Sequence, residues 1–479
     1  MNRSILYYIL VVILVSISGC AVGPNFEKPV VKAPKYFNYD SLRADSVLNL
    51  KWWELFNDDQ LIAYIDTAIV NNKDVRIAAS RVEEARYVVG YTKADQWPFF
   101  GYSGNATRKR LNINENLNSP FSTFSVLGNV NWEVSFWGKY RRMNESAREE
   151  LLSTQYAHRS VMISLISEVA STYFLLLDYS SRLEISRRTL ESRKDGLRIM
   201  QDKFNYGTIP ELDLNQAEIQ EAIAAAAVPN FERLVAQTGH ALSILLGQNP
   251  ELTLIQNALI YQKIPPEIPA GIPSNLLERR TDIMEAEHRY AAQNARIGVA
   301  QAMRWPVISL TAGLGVASGD LNSLLSSGSL AWSVGGGIVG PIFNFGKNKR
   351  RVQIERQKTE QSLLFYEKTV LNAFRDVEDA LVEVHTYKNE LSSRIRQRDA
   401  AQNANMLSKE RYDGGVTSYL EVLDSERSLF DAELSTSKTY QQRLNSYVKL
   451  YKALGGGWIS AEEEQTAKDQ AAKNPANQN

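Results

Sequence analysis

Few residues in this 479-residue chain are placed to do chemistry. Its four histidines, His158, His240, His288 and His385, lie far apart and lack the spacing at which side chains close on one metal ion. No Ser/His/Asp set, phosphate-binding loop or dinucleotide fingerprint stands in the strand-turn-helix context that would give it meaning. The pattern offers no enzyme, no cofactor and no metal site. One residue is placed for covalent chemistry. Cys20 is the only cysteine, so it has no disulfide partner. It closes a short basic start at Arg3, an apolar run over residues 5–15, and the small residues Ser18 and Gly19. That is the outline of a secretory signal ended by a thiol.

Ile17-Ser18-Gly19-Cys20 resembles the bacterial lipobox, in which the thiol is diacylated, the peptide is cut before the cysteine and the new amino terminus is acylated. An ordinary signal peptide with an incidental cysteine is the alternative. Several acyl chains on one residue hold a membrane far more firmly than one. The formal net charge is zero, which gives no electrostatic case for nucleic acid. No internal stretch reads as apolar for the roughly 20 residues a spanning helix needs, so any crossing of a membrane must use strands.

The elements that would position such sites repeat. At a constant offset of 208 residues, Trp97-Pro98 matches Trp305-Pro306, Gly90 matches Gly298, and Gly138-Lys139 with Arg142 matches Gly346-Lys347 with Arg350. Gly207 matches Gly415, and Leu246-Gly247 matches Leu454-Gly455. A tandem duplication explains a Trp-Pro pair and several glycines in register. Each copy reads as a helix stopped by proline, two strands, a very long helix, a glycine turn and a second helix. The expected divisions are a signal at 1–19, a lipidated extended segment at 20–56, repeats at 57–265 and 266–458, and a disordered tail at 459–479.

Residues 124–136 alternate strictly, with Phe124, Val126, Val130, Trp132, Val134 and Phe136 on one face. The hairpins, expected at about 99–137 and 306–343, hold strands that suit the roughly 9–11 residues of a tilted transmembrane strand. Two soluble hairpins, each with one buried face, would show the same alternation. Four strands cannot close a barrel, and an open edge in lipid leaves backbone groups unsatisfied. Membrane strands would therefore require several chains, and three would give an even-numbered, twelve-stranded barrel. From 139 and from 347 the chain runs helical for more than 60 residues, roughly 100 Å at 1.5 Å per residue. Such helices need partners. Leu420, Arg427, Leu434, Gln441 and Val448, with Leu423, Phe430, Ser437, Leu444 and Tyr451, give the last helix a coiled-coil seam. Pro229, where the second copy has Ser437, predicts a kink or break.

Several segments together resemble the TolC-type outer-membrane factor family, in its lipoprotein branch. They are Cys20-Ala-Val-Gly-Pro-Asn-Phe, Lys51-Trp-Trp-Glu-Leu-Phe, and Gly271-Ile-Pro-Ser-Asn-Leu-Leu-Glu-Arg-Arg-Thr-Asp282, with Thr281 where the family usually has proline. Tyr412-Asp-Gly-Gly415, Tyr419-Leu-Glu-Val-Leu-Asp424 and Leu454-Gly-Gly-Gly-Trp458 complete the likeness. The resemblance implies a mixed α and β membrane protein, a homotrimer whose strands form one twelve-stranded outer-membrane barrel and whose helices form a periplasmic tube. It implies an exit duct for small molecules that does no chemistry, docked to a periplasmic adaptor and an inner-membrane pump of the resistance-nodulation-division type. A pore-less coiled-coil lipoprotein, or a duct for proteins or metal ions, remains open. The family's gate lies at the helical tips. It maps to Glu421 and Asp424 as carboxylate rings, for which a solvated helix start with acids suited to its first turn is the alternative, to Tyr412 and Asp213 as positions holding the tips shut, and to Gly207 and Gly415 as tip turns. Thr417 stands where some relatives have an arginine latch. Lipidation can be checked directly. Cys20→Ser should abolish incorporation of labelled palmitate, and persistent labelling would refute the assignment.

Overall fold

The computed structural model describes residues 21–34, 36–39, 51–110, 120–251, 258–265 and 276–456. Cys20, the expected signal at 1–19 and the expected tail at 459–479 lie outside them. The chain divides into two compact units. One comprises residues up to Val30, Ser80–Gln155 and Glu285–Glu367; the other comprises Val31–Ala79, Tyr156–Met284 and Lys368–Asn479.

Among the described residues, the helices of more than one turn are, in chain order, α1 (Asp59–Asn71), α2 (Lys73–Ala94), α3 (Lys139–Asn205), α4 (Glu211–Leu245), α5 (Thr281–Ala302), α6 (Lys347–Asp413) and α7 (Tyr419–Ala453). The strands are β1 (Phe99–Lys109) and β2 (Phe121–Val134), between α2 and α3, and β3 (Val307–Ser318) and β4 (Leu330–Val339), between α5 and α6. The duplication is visible residue by residue. Helices α5, α6 and α7 begin and end 208 residues after α2, α3 and α4. Both long helices have 67 residues, and both return helices have 35. Strand β2 ends at Val134, and Phe136 falls in the following turn against Trp137, so the alternation predicted through residue 136 stops two residues early.

In the first unit the four strands form one antiparallel sheet in the order β1-β2-β3-β4. Its register puts even-numbered residues of every strand on one face: Tyr102 faces Gly128, Gly128 faces Leu314, and Leu314 faces Trp332. That face carries Phe100, Val126, Val130, Trp132, Ile308, Leu310, Val334 and Ile338. The opposite face carries Ser103, Asn105, Asn129, Asn131, Ser309, Thr311 and Ser333. The apolar face is open to the surroundings, with Tyr102 at 90% and Trp332 at 72% exposure. A contiguous apolar surface of this kind marks contact with another protein or with membrane.

The chain just after Cys20 is clamped to this unit. Arg142, on α3 and 4% exposed, donates to the carbonyls of Val22 and Gly23 and to the Asn25 side chain. Gly23 presses on Gly298 of α5 so closely that a Cβ on Gly23 would lie 2.4 Å from the Gly298 Cα. Lys28 pairs with Glu287 at 2.9 Å, and Phe26 meets Tyr290 edge-on.

The second unit holds the main core. Ile166, Val169, Tyr173, Phe174 and Leu177 of α3 pack with Leu61 and Ile65 of α1 and with Leu444 and Val448 of α7. This apolar part of α3 is rich enough to cross a membrane by composition, contrary to the expectation above. Its side chains are spent on the core instead. Trp52, Trp53 and Phe56 are buried, with Trp52 stacked on Tyr451 at 5.3 Å. A kink or break was expected at Pro229, and helix α4 is unbroken there. Proline removes one hydrogen bond and crowds the preceding turn, but Ala224 and Phe231 are buried on either side of it and hold the helix together. Of the two α7 series, Leu423, Phe430, Ser437, Leu444 and Tyr451 are all buried. Leu420 and Arg427, at the tip end of the other, are exposed.

Thr281 begins α5, the first helical position, where proline fits because its missing N–H would have no helical partner. Threonine here adds a hydroxyl bond to Ser160 at 2.7 Å. Its neighbour Arg280 donates to the Ala453 carbonyl at the end of α7 and to Asp282 and Asp376. Burial works against that charge, but the two carboxylates outweigh it and raise the guanidinium pKa. Asp58 ties the core by a second polar knot. One oxygen caps α1 by accepting from the Gln60 and Leu61 amides, and the other accepts from Tyr173 at 2.7 Å and Gln262 at 2.6 Å. Losing a cap plus two buried partners costs about 3 kcal/mol, and losing one hydroxyl bond costs about 1 kcal/mol. In thermal melts followed by circular dichroism, Asp58→Ala should therefore melt well below Tyr173→Phe, and both below the parent. Equal melting of all three would remove the knot from the account of stability.

Candidate functional site at the helical tips

Each long helix reverses into its return helix through a short turn with the same backbone. After α3 the Gly207 amide donates to Phe204 O and the Thr208 amide to Lys203 O. After α6 the Gly415 amide donates to Tyr412 O and the Val416 amide to Arg411 O. This pattern closes a helix by placing one residue at positive φ. Gly207 and Gly415 sit at φ 71° and 68°, where a side chain would be strained. The return helices then start at Glu211 and Tyr419, with Pro210 and Ser418 as extended cap residues.

Between the two turns the second unit carries a small apolar cluster. Met200, Ala217, Tyr419, Val422 and Leu423 are buried, and Leu197, Ile209, Leu214 and Tyr412 pack against them. Tyr412 lies at its edge. Lys203 reaches it from the other copy's long helix, with its ammonium 3.3 Å from the hydroxyl and 4.6 Å from the ring centre. The Tyr412 and Tyr419 rings meet at 5.4 Å. Tyr419 is only 8% exposed. Burial raises its pKa first, and Glu426, Tyr412 and Asp213 add to the rise, so it stays a neutral phenol. Two expected residues, Tyr412 and Asp213, are thus gathered here around Tyr419, which the sequence had not singled out.

The other acids stand elsewhere. Glu421 pairs with Arg411 of α6 at 3.3 Å and accepts a short hydrogen bond from Thr417. Asp424 is 63% exposed and pairs with Arg427 three residues on. Pairs this exposed contribute at most about 1 kcal/mol each. Each carboxylate therefore faces an arginine of its own chain, which moderates the negative potential that bare acidic rings would create. Arg427 was readable from its i,i+3 spacing to Asp424. Arg411, Lys203 and Met200 were not, because they reach their partners across a turn or from the other copy. Deeper in, Arg193 donates to the Gln220 carbonyl at 2.7 Å and lies 5.2 Å from the Phe430 ring, bracing α3 against both return helices. Nothing in the sequence pattern pointed to it.

The two copies use their matching positions differently. Asp213 corresponds to Glu421 and Lys203 to Arg411 under the 208-residue shift. In the second copy that base and acid pair with each other. In the first, the base turns to Tyr412 and the acid lies near Tyr419.

Comparison with known proteins agrees with this layout. The family described as "Outer membrane efflux protein" matches residues 64–248 and again residues 272–456, the second match displaced by 208 residues at both ends. The solvent efflux pump outer membrane protein SrpC of Pseudomonas putida is 36% identical over 455 residues, spanning 93% of this chain and 97% of its own. The cation efflux system protein CusC of Escherichia coli is 34% identical, also spanning 93% and 97%. The crystal structure of the Campylobacter jejuni CmeC outer membrane channel is 26% identical, with a TM-score of 0.86 over 95% of this chain and 99% of that one. The chain belongs to the outer membrane efflux protein family, whose members are channels of the outer membrane and not a class of enzymes.

Proposed function

We propose that three copies of this chain form one outer-membrane exit duct whose periplasmic end is gated by the two helical tips. The observation that carries the assembly is the sheet: its apolar face is continuous over all four strands, while β1 and β4 have no partner on their outer sides among the described residues. Three chains supply twelve strands, an even number within the range of closed bacterial barrels. The long helices, two per chain, are the walls of the periplasmic tube. A periplasmic adaptor and an inner-membrane pump of the resistance-nodulation-division type deliver cargo to the tips, and Cys20 carries the lipid anchor. The clamp of residues 22 to 28 onto α3 and α5 supports that last assignment, since it fixes the residues next to Cys20 against the unit that holds the strands. Cargo is selected at the pump. SrpC is named for solvents and CusC for cations, so relatives of similar identity serve unlike cargo.

The gate is held by two kinds of contact. Lys203 and Tyr412 join the tip of one copy to that of the other, and the apolar cluster around Tyr419 backs them. Glu421 and Asp424 rim the tip with their arginines. In planar bilayers Tyr412→Ala should raise single-channel conductance several-fold, while Tyr412→Phe, which keeps the ring, should raise it far less. Glu421→Ala with Asp424→Ala uncovers Arg411 and Arg427 and should shift selectivity toward anions. Currents identical to the parent in both conductance and selectivity would sink the gate assignment. The oligomeric mass in detergent tests the assembly, and a monomer would overturn it.

A further inference from the structure

The chain contains a template for its own closure. Inside one copy the two hairpins meet where β2 pairs with β3: Asn131 stands opposite Thr311, Val130 opposite Ala312, and Asn129 opposite Gly313. Below the strands the seam continues through aromatic rings. The Trp137 indole donates to the Pro306 carbonyl at 2.9 Å, and its ring stacks on Trp305 at 4.8 Å. Under the 208-residue shift β4 is the copy of β2, and β1 is the copy of β3. Those two strands are the outer edges of the sheet.

We infer that the seam between neighbouring copies reproduces the β2–β3 seam with its register carried over by the repeat, so that Val339 of one copy lies opposite Ser103 of the next, Ile338 opposite Gly104 and Gly337 opposite Asn105. This rests on the proposed trimer and adds the residue-level interface to it. Three observations support it. The pairing keeps even residues against even residues, so the apolar face runs on around the ring; a slip by one residue would turn one copy's apolar face to the polar side. The matching aromatic positions are largely exposed in the single chain. Trp97, the mate of Trp305, is 69% exposed, and Phe345, the mate of Trp137, is 86% exposed. The same shift sets these two rings against each other across the closing seam. Third, Gly104, the mate of Ala312, has nothing within 4 Å of where a Cβ would stand, so β1 has room for a strand and its side chains. At the outer end the copies differ. A Cβ on Gly315 would lie 2.1 Å from the Val126 carbonyl, yet its mate is Thr107, so the pairs nearer the helices are the ones that carry the register.

Cysteine pairs test it in the full-length protein. Directly opposed residues are about 4.5–5.5 Å apart and those displaced by two about 7–8 Å, at the limit of disulfide reach. Val339→Cys is combined in turn with Gly101→Cys, Ser103→Cys and Asn105→Cys. Ile338→Cys is combined with Tyr102→Cys, Gly104→Cys and Ala106→Cys, so that both kinds of antiparallel site are sampled. The parent, with Cys20 alone, is the control. Under mild oxidation, Ser103→Cys with Val339→Cys or Gly104→Cys with Ile338→Cys should give a reducible dimer and trimer ladder about tenfold stronger than its displaced neighbours. A displaced pair that links best, or equal linking across a set, overturns the register. No linking in either set, with a trimeric mass retained, overturns this seam and leaves the trimer standing. A mass below a trimer in the parent overturns the trimer itself.

Discussion

The constraint on which everything else depends is the unpaired edge of a sheet in lipid. About half the backbone groups of an edge strand point outward, and in a hydrocarbon layer each unsatisfied group costs several kcal/mol. No side-chain device that blunts an edge in water, such as a lysine or a bulge, answers that cost inside a membrane. Four strands with one apolar face, those of the described residues, therefore cannot stand alone in the outer membrane, where this family resides. Closure by further copies is the physical solution. The 10-to-14-residue strands are long enough to span the apolar layer.

Duplication follows from the same constraint. One hairpin joined to one pair of long helices recurs within the chain at a fixed offset, and the sheet already shows how two such units join. Equal helix lengths are part of this solution. The two 67-residue helices end in matching turns and the two 35-residue helices return from them, and the repeat holds both lengths without insertion. Sequence freedom then moves to positions that the repeat does not need to keep alike. The Gly298 and Gly138 sites receive the chain that follows Cys20, whereas a Cβ at their mates Gly90 and Gly346 would meet nothing within 4 Å. Only one amino terminus exists for two equivalent sites.

What was legible in the sequence was whatever a period or an offset records. The strands, the long helices, the turns at Gly207 and Gly415 and the proline stops all follow from alternation, helical spacing and the 208-residue match. What stayed hidden depends on contacts between distant residues. Asp58 drew no notice in the sequence, yet it caps α1 and anchors Tyr173 from 115 residues away. Pro229 signalled a kink or break, and the helix continues through it between the buried Ala224 and Phe231. At the tip, Glu421 reads as a bare acid, while Arg411, the partner that changes its electrostatic meaning, lies across the turn. Arg280 and Thr281 belong to the segment that most strongly suggested the family. Their part proves structural, closing the end of α7 and starting α5.

The contrast between the tip and the core gives the proposed gate its physical basis. The core joins helices through fully buried rings and aliphatic side chains, such as Tyr173, Phe174 and Leu444, whose separation would expose a large apolar area at about 25 cal/mol per Å². The tip has a five-residue buried cluster, one lysine-tyrosine contact and ion pairs more than 40% exposed. Ion pairs of that exposure contribute little and can exchange partners at little cost. A docking protein that offers its own charges to Arg411, Glu421, Asp424 and Arg427 could therefore replace the tip's polar contacts one for one and need overcome only the small apolar cluster. The same exchange applied to the core would meet a barrier that surface charges cannot offset. In the proposed duct, movement therefore falls at the tip, where the contacts are weakest, and not at the buried core.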